Sequence, residues 1–173
     1  MIFFFEKYTE SIRKLQDTMT WLGVEIKIVV LEEEAFGRDG ILFPYEFYIF
    51  KQNWEKYELS EVNFVCKEWR TENGWLYKID FCDQAGVRRV SKFLDQDGNV
   101  ESKVFYSNQN QEVLVEQPGN DVFTIIKKNA VQKIFLSRFE FIRSFMREAF
   151  REEKYAIFVE TEKQLKYLNI ESE

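Results

Sequence analysis

The chain has 30 acidic side chains and two cysteines but no histidine, so any chemistry it performs must come from carboxylates, thiols or lysines without an imidazole. That absence excludes Ser/His/Asp and Cys/His nucleophilic arrangements, histidine metal sites and imidazole general-base catalysis. The most suggestive spacing is Asp95-Gln96-Asp97-Gly98. A DxD pair can hold a metal-bound nucleotide sugar, and DxDG opens a calcium loop. The glutamate that closes a calcium loop is missing downstream and regular β-type runs flank the segment, so it reads as a hairpin loop in which Asp and Gly meet the turn geometry. An enzyme using Asp95 and Asp97 with a metal is the remaining catalytic alternative. Gly37-Arg38-Asp39-Gly40 lacks the Gly-Lys-Ser/Thr ending of a phosphate loop and the glycine spacing of a dinucleotide site. Nothing in the sequence brings Glu33, Asp80 and Glu101 to acid-base separation, and they read as solvated charge. No catalytic residue, metal site or cofactor is expected.

Aromatic residues supply the stronger signal, with 18 Phe, 8 Tyr and 4 Trp. Trp69, Trp75, Phe93 and Phe105 alternate with Arg70, Lys78, Arg88 and Arg89. Core packing is one reading, and a protein-contact surface of aromatics and cations is the other. The candidate partner- or acceptor-binding set is Trp69, Trp75, Arg89, Phe93, Lys103 and Phe105. A net charge of -6 and the lack of any basic run argue against nucleic acid.

The elements that must position these residues run from Val62 to Phe135, where β-type runs alternate with turn clusters about every 8 to 12 residues, the beat of an antiparallel meander. A hairpin centred on Asn73-Gly74 sets Cys66 opposite Phe81 and sends Cys82 to the other face, predicting two free thiols. A loop at Asp95 to Asn99 pairs Leu94 with Val100, Lys92 with Ser102, Val90 with Val104 and Arg88 with Tyr106, while Phe93, Ser91 and Arg89 meet Glu101, Lys103 and Phe105. Neither face is then cleanly polar or apolar, which predicts a thin sheet, wet on one side, with scattered aromatics toward a partner or another layer.

Helix and strand units flank the meander. Ile12, Leu15, Met19 and Leu22 form a helical stripe over Thr9 to Leu22, with Gly23 as the C′ residue. The helix is expected to extend back through Phe4 and Tyr8, with a short buried strand over Ile2 to Phe5 as the alternative. Val24 to Leu31 is β-branched, as in a strand covered on both faces. Glu32-Glu33-Glu34 reads as a solvated loop, and Ile41 to Phe50, around Pro44, as extended or mixed. Ser137-Arg138-Phe139-Glu140 is a capping-box pattern before a helix, Tyr155 to Val159 a strand, and Thr161 to Leu168 a second capped helix with Gln164 completing the box. A cytosolic protein is expected, since Met1 to Glu6 is too short and too uncharged for an export signal.

Met1-Ile2 before aromatics and Tyr8, Leu22-Gly23, Lys27-Ile28-Val29-Val30-Leu31-Glu32, Phe36 with Ile41-Leu42-Phe43-Pro44-Tyr45-Glu46-Phe47-Tyr48, Lys92-Phe93-Leu94-Asp95-Gln96-Asp97-Gly98-Asn99, and Ile134 to Phe145 occur in an order and spacing of their own. In these the chain resembles the B subunits of accessory Sec system peptide O-GlcNAc transferases, the glycosylation chaperones of serine-rich repeat adhesins, over their amino-terminal portion. The resemblance implies an α+β fold: an extended antiparallel β-meander inserted into part of a Rossmann-like, GT-B type α/β framework. On that reading 1–53 and 137–173 are framework and 54–136 is the add-on. It further implies a non-catalytic subunit that binds a catalytic glycosyltransferase A subunit and a Ser/Thr-rich adhesin polypeptide, cytoplasmic or peripheral at the inner membrane face, with no cofactor. Pairing with a second copy is a further prospect for the framework helices. The competing function is a β-sheet or barrel carrier of a small apolar ligand.

Overall fold

The computed structural model describes residues 1–32, 40–50, 64–151, 156–162 and 164–165. The chain divides into two compact units, one holding the described residues up to Phe47 and from Ile142 onward, the other those from Tyr48 to Phe141. In chain order the elements are β1 (Ile2–Phe5), α1 (Glu10–Trp21), β2 (Lys27–Val30), β3 (Ile41–Leu42) and α2 (Pro44–Phe50). Then come β4 (Val65–Arg70), β5 (Leu76–Cys82), β6 (Arg88–Leu94), β7 (Val100–Tyr106), β8 (Glu112–Gln117), β9 (Val122–Lys127) and β10 (Ala130–Phe135). The chain continues with α3 (Arg138–Ala149) and β11 (Ile157–Val159). The fold is α+β.

The first unit holds a four-stranded parallel sheet in the order β11-β1-β2-β3. Ile2 to Phe5 is therefore a strand and not an extension of α1. A strand between two others in a parallel sheet is covered on both faces and needs an uninterrupted apolar run. Ile2 and Phe4 are fully buried, and Phe3 and Phe5 pack with Tyr8 and Ile26 against a core of Ile12, Ile28, Val30, Ile41 and Phe43. Phe3 stacks on its cross-strand neighbour Phe158, ring centroids 4.9 Å apart. Helix α1 ends as expected: Gly23 takes φ +68°, and the Val24 N–H reaches back to the Met19 carbonyl at 2.9 Å. Its stripe stops one turn early, however, because Leu22 is exposed. Ile41 to Phe50 is the mixed segment of the two expected forms, a short strand followed by α2. Pro44 opens that helix because its fixed φ suits the first turn, where its missing N–H costs nothing.

The second unit is a seven-stranded antiparallel sheet in which every strand pairs with its sequence neighbours, ordered β10 through β4. It is open: a closed barrel would pair β4 with β10, and among the described residues these are its two edges. Five of the six ladders contain a bulge. Cys66 does lie opposite Phe81, and both cysteines are free. The expected β6–β7 register holds at Leu94–Val100 and then slips by one, so that Phe93 meets Ser102, Lys92 meets Lys103, Ser91 meets Val104 and Val90 meets Phe105. The bulge beside the loop inserts the residue that causes the slip.

This slip re-sorts the faces. One face, called here the Phe105 face, carries Phe81, Val90, Phe105, Leu114 and Ile125 across the sheet; the other, the Trp69 face, carries Asp80, Ser91, Val104, Val115 and Thr124. The centre is not wet on one side: Ser91 and Val104 are buried on one face, Val90 and Phe105 on the other. Over β8–β10 the Phe105 face is closed by rings from both flanking helices. Phe141 stacks on Phe123 with centroids 4.5 Å apart and meets Phe135 edge-on at 5.6 Å, while Tyr48 lies 5.0 Å from Phe141. Helix α3 begins as its sequence predicts, with Ser137 Oγ accepting from the Glu140 N–H at 3.2 Å. The Glu140 carboxylate reaches one residue further back than a capping box, accepting from the Leu136 N–H at 2.9 Å. The Gln164 side chain accepts from the Thr161 N–H at 3.1 Å, the reciprocal half of the second box. Residues 33–39 and 166–168, with Glu33 and Phe36, lie outside the described residues.

Candidate partner-contact surface

Strand pairing sets Trp69 opposite Lys78, Lys78 opposite Phe93 and Phe93 opposite Ser102. One step along the strands, the next row on the same face is Lys67, Asp80, Ser91 and Val104. These two rows converge on Asp80, which is 4% exposed. The Trp69 indole N–H donates to Asp80 Oδ2 at 2.7 Å, the Ser91 hydroxyl donates to Oδ1, and Lys78 Nζ lies 3.0 Å from Oδ1. Burial by itself raises the Asp80 pKa. The hydrogen bonds from Ser91, Lys78 and Trp69 and the charge of Lys78 together outweigh it and hold the carboxyl below its ordinary value. The expectation that Asp80 is solvated is therefore wrong. It is a buried, fixed anion that orients a tryptophan and a lysine.

Lys78 bridges two rings, its Nζ 5.3 Å from the Trp69 centroid and 5.6 Å from that of Phe93, and Lys67 approaches the same indole at 4.2 Å. The pattern recurs elsewhere on β5–β7: on the Phe105 face Lys92 Nζ lies 4.8 Å from the Phe81 ring, and at the far end of the Trp69 face, where the bulge at Arg89 sets Arg88 opposite Cys82, the Arg88 guanidinium lies 3.9 Å from Tyr106. The mixed faces now have a physical cause. Away from the rings of Tyr48 and Phe141, long cationic side chains lie across the sheet's own rings, each such contact contributing about 0.5–1 kcal/mol.

Of the six candidate residues, Trp69 and Phe93 flank Lys78 on one face. Trp75, 37% exposed, sits at the Asp95 end of those strands, its indole N–H donating to the Asp95 carbonyl at 3.1 Å. Arg89 lies at the opposite end, paired with Asp83 at 2.7 Å and donating to Asn108. Lys103 and Phe105 belong to the other face and point inward: Phe105 is 1% exposed, and Lys103 is buried 3.4 Å from Glu116 on the neighbouring strand. These two support the sheet and do not present a contact surface. The residues missed were Lys78 as the bridge and Asp80 and Ser91 as its anchor. The hairpin register that set Cys66 against Phe81 already set Lys67 against Asp80, and was the signal available.

The alternative chemistries are also located. Asp95 accepts from the N–H groups of Asp97 and Asn99 at 2.9 and 2.8 Å and from the Asn99 side chain at 3.1 Å. Asn99's hydrogen bonds are the main cause of its lowered pKa. Asp95 is a turn-forming residue. Burial, together with the negative charges of Asp80 and Asp83, pushes the Cys82 thiol up against Arg88 and Lys67, so it stays protonated and weakly nucleophilic. No cluster of three metal-ligating side chains occurs among the described residues.

The profile of the GtfB middle domain matches residues 49–136, just over half of the 173-residue chain. The chain belongs to the GtfB middle-domain family. The matched segment spans the whole seven-stranded sheet that carries the Asp80 cluster. No curated protein matches the chain. Among solved structures, a GtfA/B complex bound to UDP and GlcNAc superposes with a TM-score of 0.59 at 18% identity, covering 93% of this chain and 44% of the other. A glycosylation-associated Gap123 complex from Streptococcus agalactiae gives 0.50 at 15% identity, with 95% and 48% covered. TarM gives 0.59 at 10% identity, with 96% and 47% covered. At these identities the likeness is one of fold, and the chain spans less than half the length of the structures it matches. Among the described residues no helix is long and apolar enough to cross a membrane.

Proposed function

We propose that this GtfB-family chain serves in a non-catalytic B-type subunit that binds and stabilises a partner O-GlcNAc transferase and helps hold a Ser/Thr-rich adhesin acceptor. The observation that carries the reading is that the family match falls on the sheet whose β4–β6 end is surfaced by cations laid over aromatic rings around Asp80. A tryptophan and a lysine held in one geometry by the buried Asp80 carboxylate suit a recognition face, because little side-chain entropy remains to be lost on binding. In this reading the parallel sheet is part of a Rossmann-like GT-B framework, residues 54–136 are its add-on, and transfer chemistry belongs to the partner in the cytoplasm. The contact set becomes Lys67, Trp69, Trp75, Lys78 and Phe93.

Co-purification of the chain with the catalytic subunit tests this. Trp75→Ala combined with Lys67→Glu alters exposed groups and spares the Asp80 hydrogen bonds. It should weaken capture roughly tenfold, the cost of one central aromatic and one reversed charge. Capture equal to that of the unchanged chain would remove the β4–β6 end from the interface. Failure of both proteins to associate at all would remove the function.

A further inference from the structure

Strand β10 is the other edge of the antiparallel sheet. Strand β9 pairs with one of its sides, and among the described residues no strand pairs with the other. Such an edge leaves a row of backbone N–H and C=O groups, and edges of this kind are usually kept free of apolar side chains. This one is not. Val131 is 62% exposed, Ile134 54% and Leu136, just past the strand, 71%.

The bulge explains how they come together. In a regular strand, residues three apart face opposite sides. Here the register shifts between Val131 and Lys133, so that Val131 lies opposite Ile126 and Ile134 opposite Thr124. The extra residue, Gln132, therefore puts Val131 and Ile134 on the same face, the Trp69 face, and Leu136 follows two residues on. Phe135 turns the other way and is buried. Among the described residues the face that rings close is the Phe105 face, through Tyr48 and Phe141, while Val131 and Ile134 stand exposed on the other.

Charge defines what would cover it. From Val122 to Phe139 the chain has Lys127, Lys128, Lys133 and Arg138 and no acidic residue, within a protein whose net charge is -6. The three lysines are exposed. We propose that β10 accepts an additional strand, an extended segment of a partner polypeptide that alternates acidic with apolar side chains. The segment's backbone would complete the ladder, its apolar side chains would cover Val131 and Ile134, and its carboxylates would meet the lysines. A lipid surface would meet the apolar row and the lysines but offers no partner for the ladder. The site lies at the edge opposite β4–β6, and it stands whether or not that end docks a transferase.

The test uses the full chain and a short fluorescent peptide alternating glutamate with valine, read by anisotropy. A lysine-valine peptide and vesicles of anionic phospholipid are compared in parallel. The glutamate peptide should bind, at least roughly tenfold more tightly than the lysine peptide, and weaken with added salt. It should also slow amide exchange across residues 130–136. Ile134→Asp, and separately Lys127→Glu with Lys133→Glu, should each abolish most of the binding while leaving the circular dichroism spectrum unchanged, because all three side chains are exposed. Equal binding of the two peptides, binding unaffected by both variants, no slowing of exchange at β10, or adsorption to vesicles without peptide binding would each overturn the proposal.

Discussion

Phe141→Ala should destabilise the protein by about 3–5 kcal/mol, among the largest costs any single truncation here would exact. Phe141 is fully buried and closes the Phe105 face of β8–β10, stacked on Phe123, edge-on to Phe135 and tilted against Tyr48. Truncation removes one ring and leaves three others facing a void that none of them can fill without leaving its own strand or helix. The expected result is a fall in Tm of roughly 10 °C and a lower urea midpoint with the slope unchanged. Phe141→Leu should recover most of the loss. A truncation cost below about 1 kcal/mol would show that the helices do not close this face.

Asp80→Ala should have the next largest effect, about 3 kcal/mol, because it leaves the Lys78 ammonium and the Trp69 and Ser91 donors without their acceptor in a site closed to water. Asp80→Asn keeps the shape but only one acceptor oxygen, its NH2 meeting a donor at the other position, so it removes the charge and one side of the hydrogen bonding while preserving the packing. The Asp80 carboxyl is held below its ordinary value, so the folded state binds this proton less readily than the unfolded chain does. Its contribution is complete above the ordinary pKa and is lost as pH falls through the depressed one. The stability difference between the unchanged protein and Asp80→Asn should therefore be constant between about pH 7 and pH 5 and shrink below about pH 4. A difference that stayed constant into strong acid would mean that hydrogen-bond geometry, and not the carboxylate charge, anchors the cluster.

How far the sequence anticipated these features depends on which interactions set each one. The turn clusters announced every strand from β4 to β10, because the turn chemistry of Asn73-Gly74 or Asp95 to Asn99 is local. The same locality gave the end of α1 at Gly23 and the start of α3 at Ser137. The β6–β7 register failed one residue from the loop, since the bulge residue, Glu101 between Val100 and Ser102, has no local signature. That single residue decided whether Phe105 looked like a contact residue or a core one. Ile2 to Phe5 was undecidable for a different reason: four apolar residues carry no period, and only the neighbouring strands β11 and β2 fix their state. Asp80 was misjudged because its environment is made by Trp69, Lys78 and Ser91 from three strands. The aromatic and cationic composition of the contact face was readable, but its geometry was not.

The order of strands in the two sheets sets up a kinetic asymmetry. In the antiparallel sheet every ladder joins segments separated only by a tight turn, so each closure costs little chain entropy and each hairpin can form from its own local sequence. The parallel sheet places Ile2 beside Ile157, a contact between the two ends of the described chain, and that closure becomes far cheaper once the intervening sheet has shortened the path. The protein should thus fold from its middle outward. Pulsed amide exchange during refolding would find β5 to β8 protected before β1, and the reverse order would show that the framework assembles first.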